Sequence, residues 1–267
     1  MTLRIGCVPY LNAKPLIDWF HEPECDADAV VEYEVPSRLA VRLREGSLDV
    51  GLLSTYELFE NPRLALVPGI SISADGPVKS VRLFSKVPFA RIDSVALDTS
   101  SLTSTALIRI LLSELYDARP EYEPHYPNLE AMLRNHDAAL IIGDLRLFET
   151  PAAFVMDLGE AWKRLTGLPF VYAAWLARPE AFDFALPILD RAKEWGCVRL
   201  DQLAVKWSDG LSLPLERVRD YFFDVMQYDL DGPKQAALNR FRLYCEQYDL
   251  IAARGELPGV TEAASVL

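Results

Sequence analysis

Apolar positions in this chain form short strand-like runs, separated by stretches whose apolar residues recur at helical spacing. Leu3 to Val8 reads as a strand that runs into the polar turn at Tyr10-Leu11-Asn12, and Pro15 suits the first turn of the helix that follows. Val30 to Val35 is the next strand, Ser37 opens a helix, and Leu48 to Leu53 is a third strand ending at Ser54-Thr55. The same order then recurs. Ser94 to Leu97 meets the hydroxyl-rich run Thr99-Ser100-Ser101-Leu102-Thr103-Ser104-Thr105, which leads into helical spacing from Ala106 to Leu112. Glu121 to Tyr126 follows as a strand, Asn128 to His136 as a helix, and Asp137 to Ile142 as a strand ending at Gly143-Asp144. An offset of about ninety residues is too long for a solenoid repeat and implies a duplicated lobe.

Strands alternating with amphipathic helices predict an α/β protein of two lobes, each a mainly parallel sheet flanked by helices. Val78 to Ser85 is expected to cross from the first lobe to the second, and Leu168 to Leu176 to return. The expected lobes are therefore residues 1–85 plus 177–267 and residues 86–176, with a ligand cleft between them. Helices are expected from Phe182 onward, over Pro214 to Met226 and over Pro233 to Tyr248, packing back on the first lobe. Leu238, Phe241, Leu243, Tyr244 and Tyr248 form the buried side of the last of these, and Gly255 to Leu267 is expected to be a loose tail.

Ligands of such sheets bind beyond the carboxyl ends of the strands, where the polar turns lie. A strand ending at a helix N-terminus offers unpaired N–H groups and the positive end of a dipole, so Asn12 marks either an anion site or a simple helix cap. The second turn carries six hydroxyls where one suffices for a cap. The surplus points to a polar ligand cradle, the alternative being a Ser/Thr loop facing water, against which Leu102 argues. Ser54, Thr55, Ser100, Ser101, Thr103, Ser104, Gly143 and Asp144 are accordingly the candidate substrate contacts.

Composition narrows the chemistry. With 267 residues, 51% of them hydrophobic, the chain can bury a substantial core. No apolar run approaches the roughly 20 residues needed to span a bilayer, and the start lacks the features of a secretory signal, so a cytoplasmic protein is expected. Cys7, Cys25, Cys197 and Cys245 are scattered, as are His21, His125 and His136, which predicts reduced thiols and no metal site, although His125 at a strand end could reach the cleft. A net charge of −12 disfavours nucleic acid and requires any anionic ligand to be attracted locally, with Lys14, Arg38, Lys79 and Arg82 as available cations. No phosphate loop, dinucleotide glycine pattern or Ser-His-Asp arrangement is present.

Tyr10-Leu11-Asn12-Ala13 with Pro15-Leu16, Leu48-Asp49-Val50-Gly51, Gly76 to Val81, the hydroxyl turn through Thr103-Ser104, Leu140 to Asp144, and Trp162 with Thr166 to Val171 together resemble the chorismate dehydratases of the futalosine route to menaquinone. The resemblance runs in order from about residue 3 to residue 176. It implies a fold like the type II periplasmic binding proteins and a lyase that converts chorismate, a small dianion, to 3-[(1-carboxyvinyl)oxy]benzoate and water. No cofactor is implied. Asn12 and Ser80 match positions the family uses in its active site, whereas without that match Ser80 reads as an ordinary strand residue. No histidine stands in a matching motif. The proton acceptor is left open by these residues, and the expectation is that the substrate's own enolpyruvyl carboxylate serves, with Asp144 or a hydroxyl assisting the leaving group, although Asp144 fits a turn acceptor equally well. Leu102 stands where relatives are expected to carry a basic residue. A non-catalytic small-anion-binding protein of the same fold and the related dihydroxynaphthoate synthase are the alternatives.

Overall fold

A computed structural model of the chain describes residues 2–98, 101–143, 150 and 152–252. The loose tail expected from Gly255 lies outside them. Two compact units result, one of residues 2–73 with 171–235 and the other of residues 74–170 with 236–252.

The first unit opens with β1 (Leu3–Cys7), a 3-10 turn over Leu11–Ala13, α1 (Lys14–Ile17) and a second 3-10 turn, Asp18–His21. It continues through β2 (Ala29–Tyr33), α2 (Pro36–Glu45), β3 (Val50–Ser54), α3 (Thr55–Glu60) and β4 (Ala65–Ala74). In the second unit β5 (Val81–Ser85) precedes β6 (Ser94–Asp98), α4 (Leu102–Tyr116), β7 (Glu121–His125), α5 (Leu129–Asn135), β8 (Ala138–Ile142), β9 (Phe154–Asp157) and α6 (Leu158–Thr166). β10 (Phe170–Ala177) returns the chain to the first unit, where α7 (Phe182–Cys197), α8 (Leu200–Leu211) and α9 (Leu215–Asp220) follow, and α10 (Gly232–Gln247) comes last.

Both sheets have five strands, in the orders β2-β1-β3-β10-β4 and β7-β6-β8-β5-β9. These are the same order when β6, β7 and β8 are set against β1, β2 and β3, so the duplication read from hydrophobic spacing is present in the topology. Both sheets are mixed, with helices flanking them. The β1–β2, β1–β3, β6–β7 and β6–β8 pairs are parallel, whereas β10 on β3 and β5 on both β8 and β9 are antiparallel. Parallel neighbours need a crossover connection. The fourth strand of each sheet enters instead from the other unit, without one.

The division also falls earlier than expected. Val81–Ser85 is hydrogen bonded along its length to β8 and belongs to the second unit, while Ala173–Ala177 pairs with β3 and belongs to the first. Most of α10 belongs to the second unit rather than the first: the Phe241 ring centroid is 5.0 Å from that of Phe170 and 6.0 Å from that of Trp162. Leu238 and Phe241 are buried, but Leu243 faces outward at 49% exposure. α7 packs so closely on α1 that a Cβ at Gly196 would stand 1.8 Å from the Pro15 carbonyl oxygen, which leaves glycine as the residue that fits.

Candidate functional site

In the first unit the chain leaves β1 at Cys7 and tightens into the 3-10 turn that holds Asn12. Tyr10 stands at the start of that turn and Ala13 at the start of α1, and neither makes a side-chain capping bond. Asn12 therefore does not cap a helix, and four-residue α1 offers little dipole. Its side chain does something else. The Asn12 Oδ1 atom is buried and has no hydrogen-bond partner among the described residues. Leaving a buried acceptor unsatisfied costs about 1–3 kcal/mol, which a ligand donor would recover.

The groups around that turn are not free to react. The Cys7 thiol is pushed up to about 12 by burial, so it is a protonated thiol at neutral pH and not a nucleophile. Lys14, expected as a local cation, is buried with its ammonium 3.8 Å from the centre of the Trp207 ring and 5.3 Å from that of Tyr33. Burial lowers its pKa, against the attraction of Asp18. Asp18 in turn accepts from Trp207 Nε1 at 2.7 Å and pairs with Lys206 at 3.0 Å. Ser54 ends β3 opposite Ala173, and the buried Thr55 hydroxyl donates to the Val171 carbonyl at 2.9 Å, joining α3 to β10.

In the second unit the register gathers three of the expected residues at one end of the sheet. Val81 pairs with Ile142, and the Gly143 N–H donates to the Ser80 carbonyl at 2.7 Å. Ser80 is buried, and its N–H donates to the Val78 carbonyl at 2.7 Å across Lys79, which has a φ of +63°. Asp157 holds this strained turn. Its carboxylate accepts the N–H groups of Val78 at 2.9 Å and Lys79 at 2.7 Å, and it also caps α6 through Gly159 at 3.0 Å and Glu160 at 3.1 Å. The sequence reading missed this residue, although Asp157 followed by Glu160 has the spacing of a helix-start signal. Asp98, buried at the end of β6, accepts the Ile142 N–H at 3.1 Å and ties the end of β8 to that of β6.

The hydroxyl turn is partly a cap. Ser101 Oγ accepts the Ser104 N–H at 3.2 Å, and the two hydroxyls lie 3.3 Å apart. Thr103 and Ser104 are buried, so the run is not a loop facing water, whereas Leu102 is 46% exposed. Ser100 and Asp144 lie outside the described residues. His125 ends β7 in register with Asp98, and its Nδ1 pairs with the Tyr126 carbonyl at 2.9 Å. His136 lies between Met132 and Glu123, and His21 pairs with the Tyr33 hydroxyl. No described helix is long and apolar enough to cross a membrane.

Comparison with known proteins agrees with this architecture. The chain is 15% identical to AF1704 from Archaeoglobus fulgidus, with a TM-score of 0.73 over 94% of this chain and 98% of that one. It is 17% identical to the periplasmic aliphatic sulphonate binding protein SsuA from Escherichia coli, with a TM-score of 0.64 over 97% and 96%. The fold is thus that of the periplasmic binding proteins. A protein named chorismate dehydratase from Thermus thermophilus is 32% identical over 89% of this chain and 93% of its own length. One of the same name from Campylobacter jejuni is 25% identical over 92% and 98%. Residues 3–247 match a family model described as menaquinone biosynthesis, and the chain belongs to that family.

Proposed function

We propose that this protein is a chorismate dehydratase that converts chorismate to 3-[(1-carboxyvinyl)oxy]benzoate and water, on the futalosine route to menaquinone. The reading is carried by the near full-length family match together with two relatives of that name. In this reaction the ring C3 proton and the C4 hydroxyl leave as water, and the new double bond completes an aromatic ring. Aromatisation supplies the driving force. The protein's task is to hold a rigid dianion so that elimination outruns rearrangement, and orientation alone can supply about 7–11 kcal/mol of a barrier.

Asn12 and Ser80 are the proposed positioning residues. The unsatisfied Asn12 amide oxygen supports this role, as does the turn that Asp157 imposes on Ser80. Thr103 and Ser104 at the start of α4, Ser101, Ser54, Thr55 and Gly143 are the proposed surrounding contacts. Helix-start N–H groups would hold a carboxylate there. Ser100 and Asp144 are kept in that set on the resemblance alone. We assign proton abstraction to the substrate's enolpyruvyl carboxylate, because Cys7 is protonated and each histidine has a structural partner. The reaction so written needs no cofactor, and a cytoplasmic setting suits a biosynthetic enzyme.

The test is incubation of the purified full chain with chorismate, followed by mass spectrometry. A product one water lighter, with the spectrum of a substituted benzoate, is expected. Chorismate binding without product would leave a binding protein of this fold.

A further inference from the structure

At the opposite end of the first sheet from Asn12 and Ser54, a cavity of about 490 Å³ is lined by Arg44, Arg63 and Arg178, with Asn61 and Glu180. Its position follows from register: Ala177 pairs with Val50 at the start of β3, whereas Ala173 pairs with Ser54 at its end. The four rises from Val50 to Ser54 put about 13 Å between those ends. We propose that this cavity is a second ligand site, for a small multiply charged oxyanion.

Three arginines from three separate segments converge here in a chain whose net charge is −12. Two are held in place from behind. The Arg44 guanidinium lies 2.7 Å from Glu57, a buried carboxyl on α3. Arg178 Nη1 lies 3.9 Å from Asp49, but Asp49 already takes Arg4 Nε at 2.9 Å and Arg4 Nη2 at 2.5 Å, so two guanidiniums share one carboxylate. Glu180, 3.5 Å from Arg178, is the carboxylate in the lining. Gly46, with φ of +79° at the end of α2, lets Arg178 lie against the backbone, since a Cβ there would stand 3.1 Å from its Nη1.

Arg63 is exposed and pairs with no carboxylate among the described residues. Glu57 and Glu180 offset two of the three guanidiniums and the carbonyl end of α2 opposes an anion with about half a charge, so the net attraction toward an anion comes from Arg63, with Arg44 and Arg178 supplying oriented N–H donors. Guanidinium forks match phosphate and carboxylate oxygens two at a time, so fixed Arg44 and Arg178 with mobile-stemmed Arg63 suit a compact polyanion.

Titration of the full chain at low salt with inorganic pyrophosphate, and separately with citrate, tests the site by calorimetry. One saturable site per chain is expected for at least one of them, and the anion that binds identifies a phosphate or a polycarboxylate as the source chemistry. Arg63→Ala should weaken binding about tenfold or more with Tm unchanged, and Arg178→Lys should weaken it while keeping a charge beside Asp49. Saturating chorismate should leave the titration unaltered. No saturable binding of either anion, binding indifferent to Arg63→Ala, or displacement by chorismate would each overturn the site. Because the readout is binding, failure of the dehydration assay would leave this inference standing.

Discussion

The turn after β1 and the turn after β6 occupy equivalent places in their two sheets, yet they use their polar groups differently. After β6, Ser101 caps a 15-residue helix and shares its oxygen with the Ser104 hydroxyl, so these two of the six hydroxyls are committed to folding. After β1 the turn is 3-10, the helix is four residues long, and the Asn12 amide oxygen is buried with no partner among the described residues. What separates the two turns is thus a single buried polar atom left unsatisfied, which only the first one has among the described residues.

Substitutions can break this comparison. Asn12→Ala should lower the rate of chorismate turnover at least about a hundredfold with little change in Tm, because it removes an orienting group and no internal hydrogen bond. An Asn12 variant that melts early but turns over normally would reverse the assignment. Asp157→Ala should cost about 2 kcal/mol or more of stability, since four backbone N–H groups lose a charged acceptor. Asp157→Asn, which keeps an acceptor for α6, should recover much of that stability in a thermal melt yet still reduce turnover through the Ser80 turn.

Ser101→Ala should cost about 1 kcal/mol, the usual worth of an N-cap, and lower Tm, with its effect on turnover confined to a raised KM as for a surrounding contact. A large loss of turnover at unchanged Tm would instead make the hydroxyl turn the principal ligand cradle. The smallest effect is expected at the far end of the first sheet. Hydrogen bonds from Arg4 hold the Asp49 carboxyl below the usual carboxylate range. That stabilisation is complete above the unfolded pKa of about 4 and is lost as pH falls through the lower folded value. Asp49→Asn should flatten the acid side of a Tm-against-pH curve and leave turnover at neutral pH unchanged.

The duplicated strand and helix order was legible in the sequence because each element carries its own hydrophobic period. The partners of β5 and β10 were not, since they are set by where the chain enters each sheet. Asn12 before Pro15 reads locally as a cap, but the turn begins at Tyr10 and places Asn12 inside it. Asp157 shows the opposite case. Its capping pattern with Glu160 is local and readable, whereas its bond to Val78, seventy-nine residues away, depends on the β5–β9 pairing.

The most direct test of the Asn12 assignment is a titration of ¹⁵N-labelled protein with 3-[(1-carboxyvinyl)oxy]benzoate, following the Asn12 side-chain amide, identified by its loss in Asn12→Asp. The account predicts that this amide signal shifts saturably with the product and that the shift tracks occupancy. A product that binds and moves the Leu102–Thr105 amides while leaving the Asn12 amide where it was would contradict it.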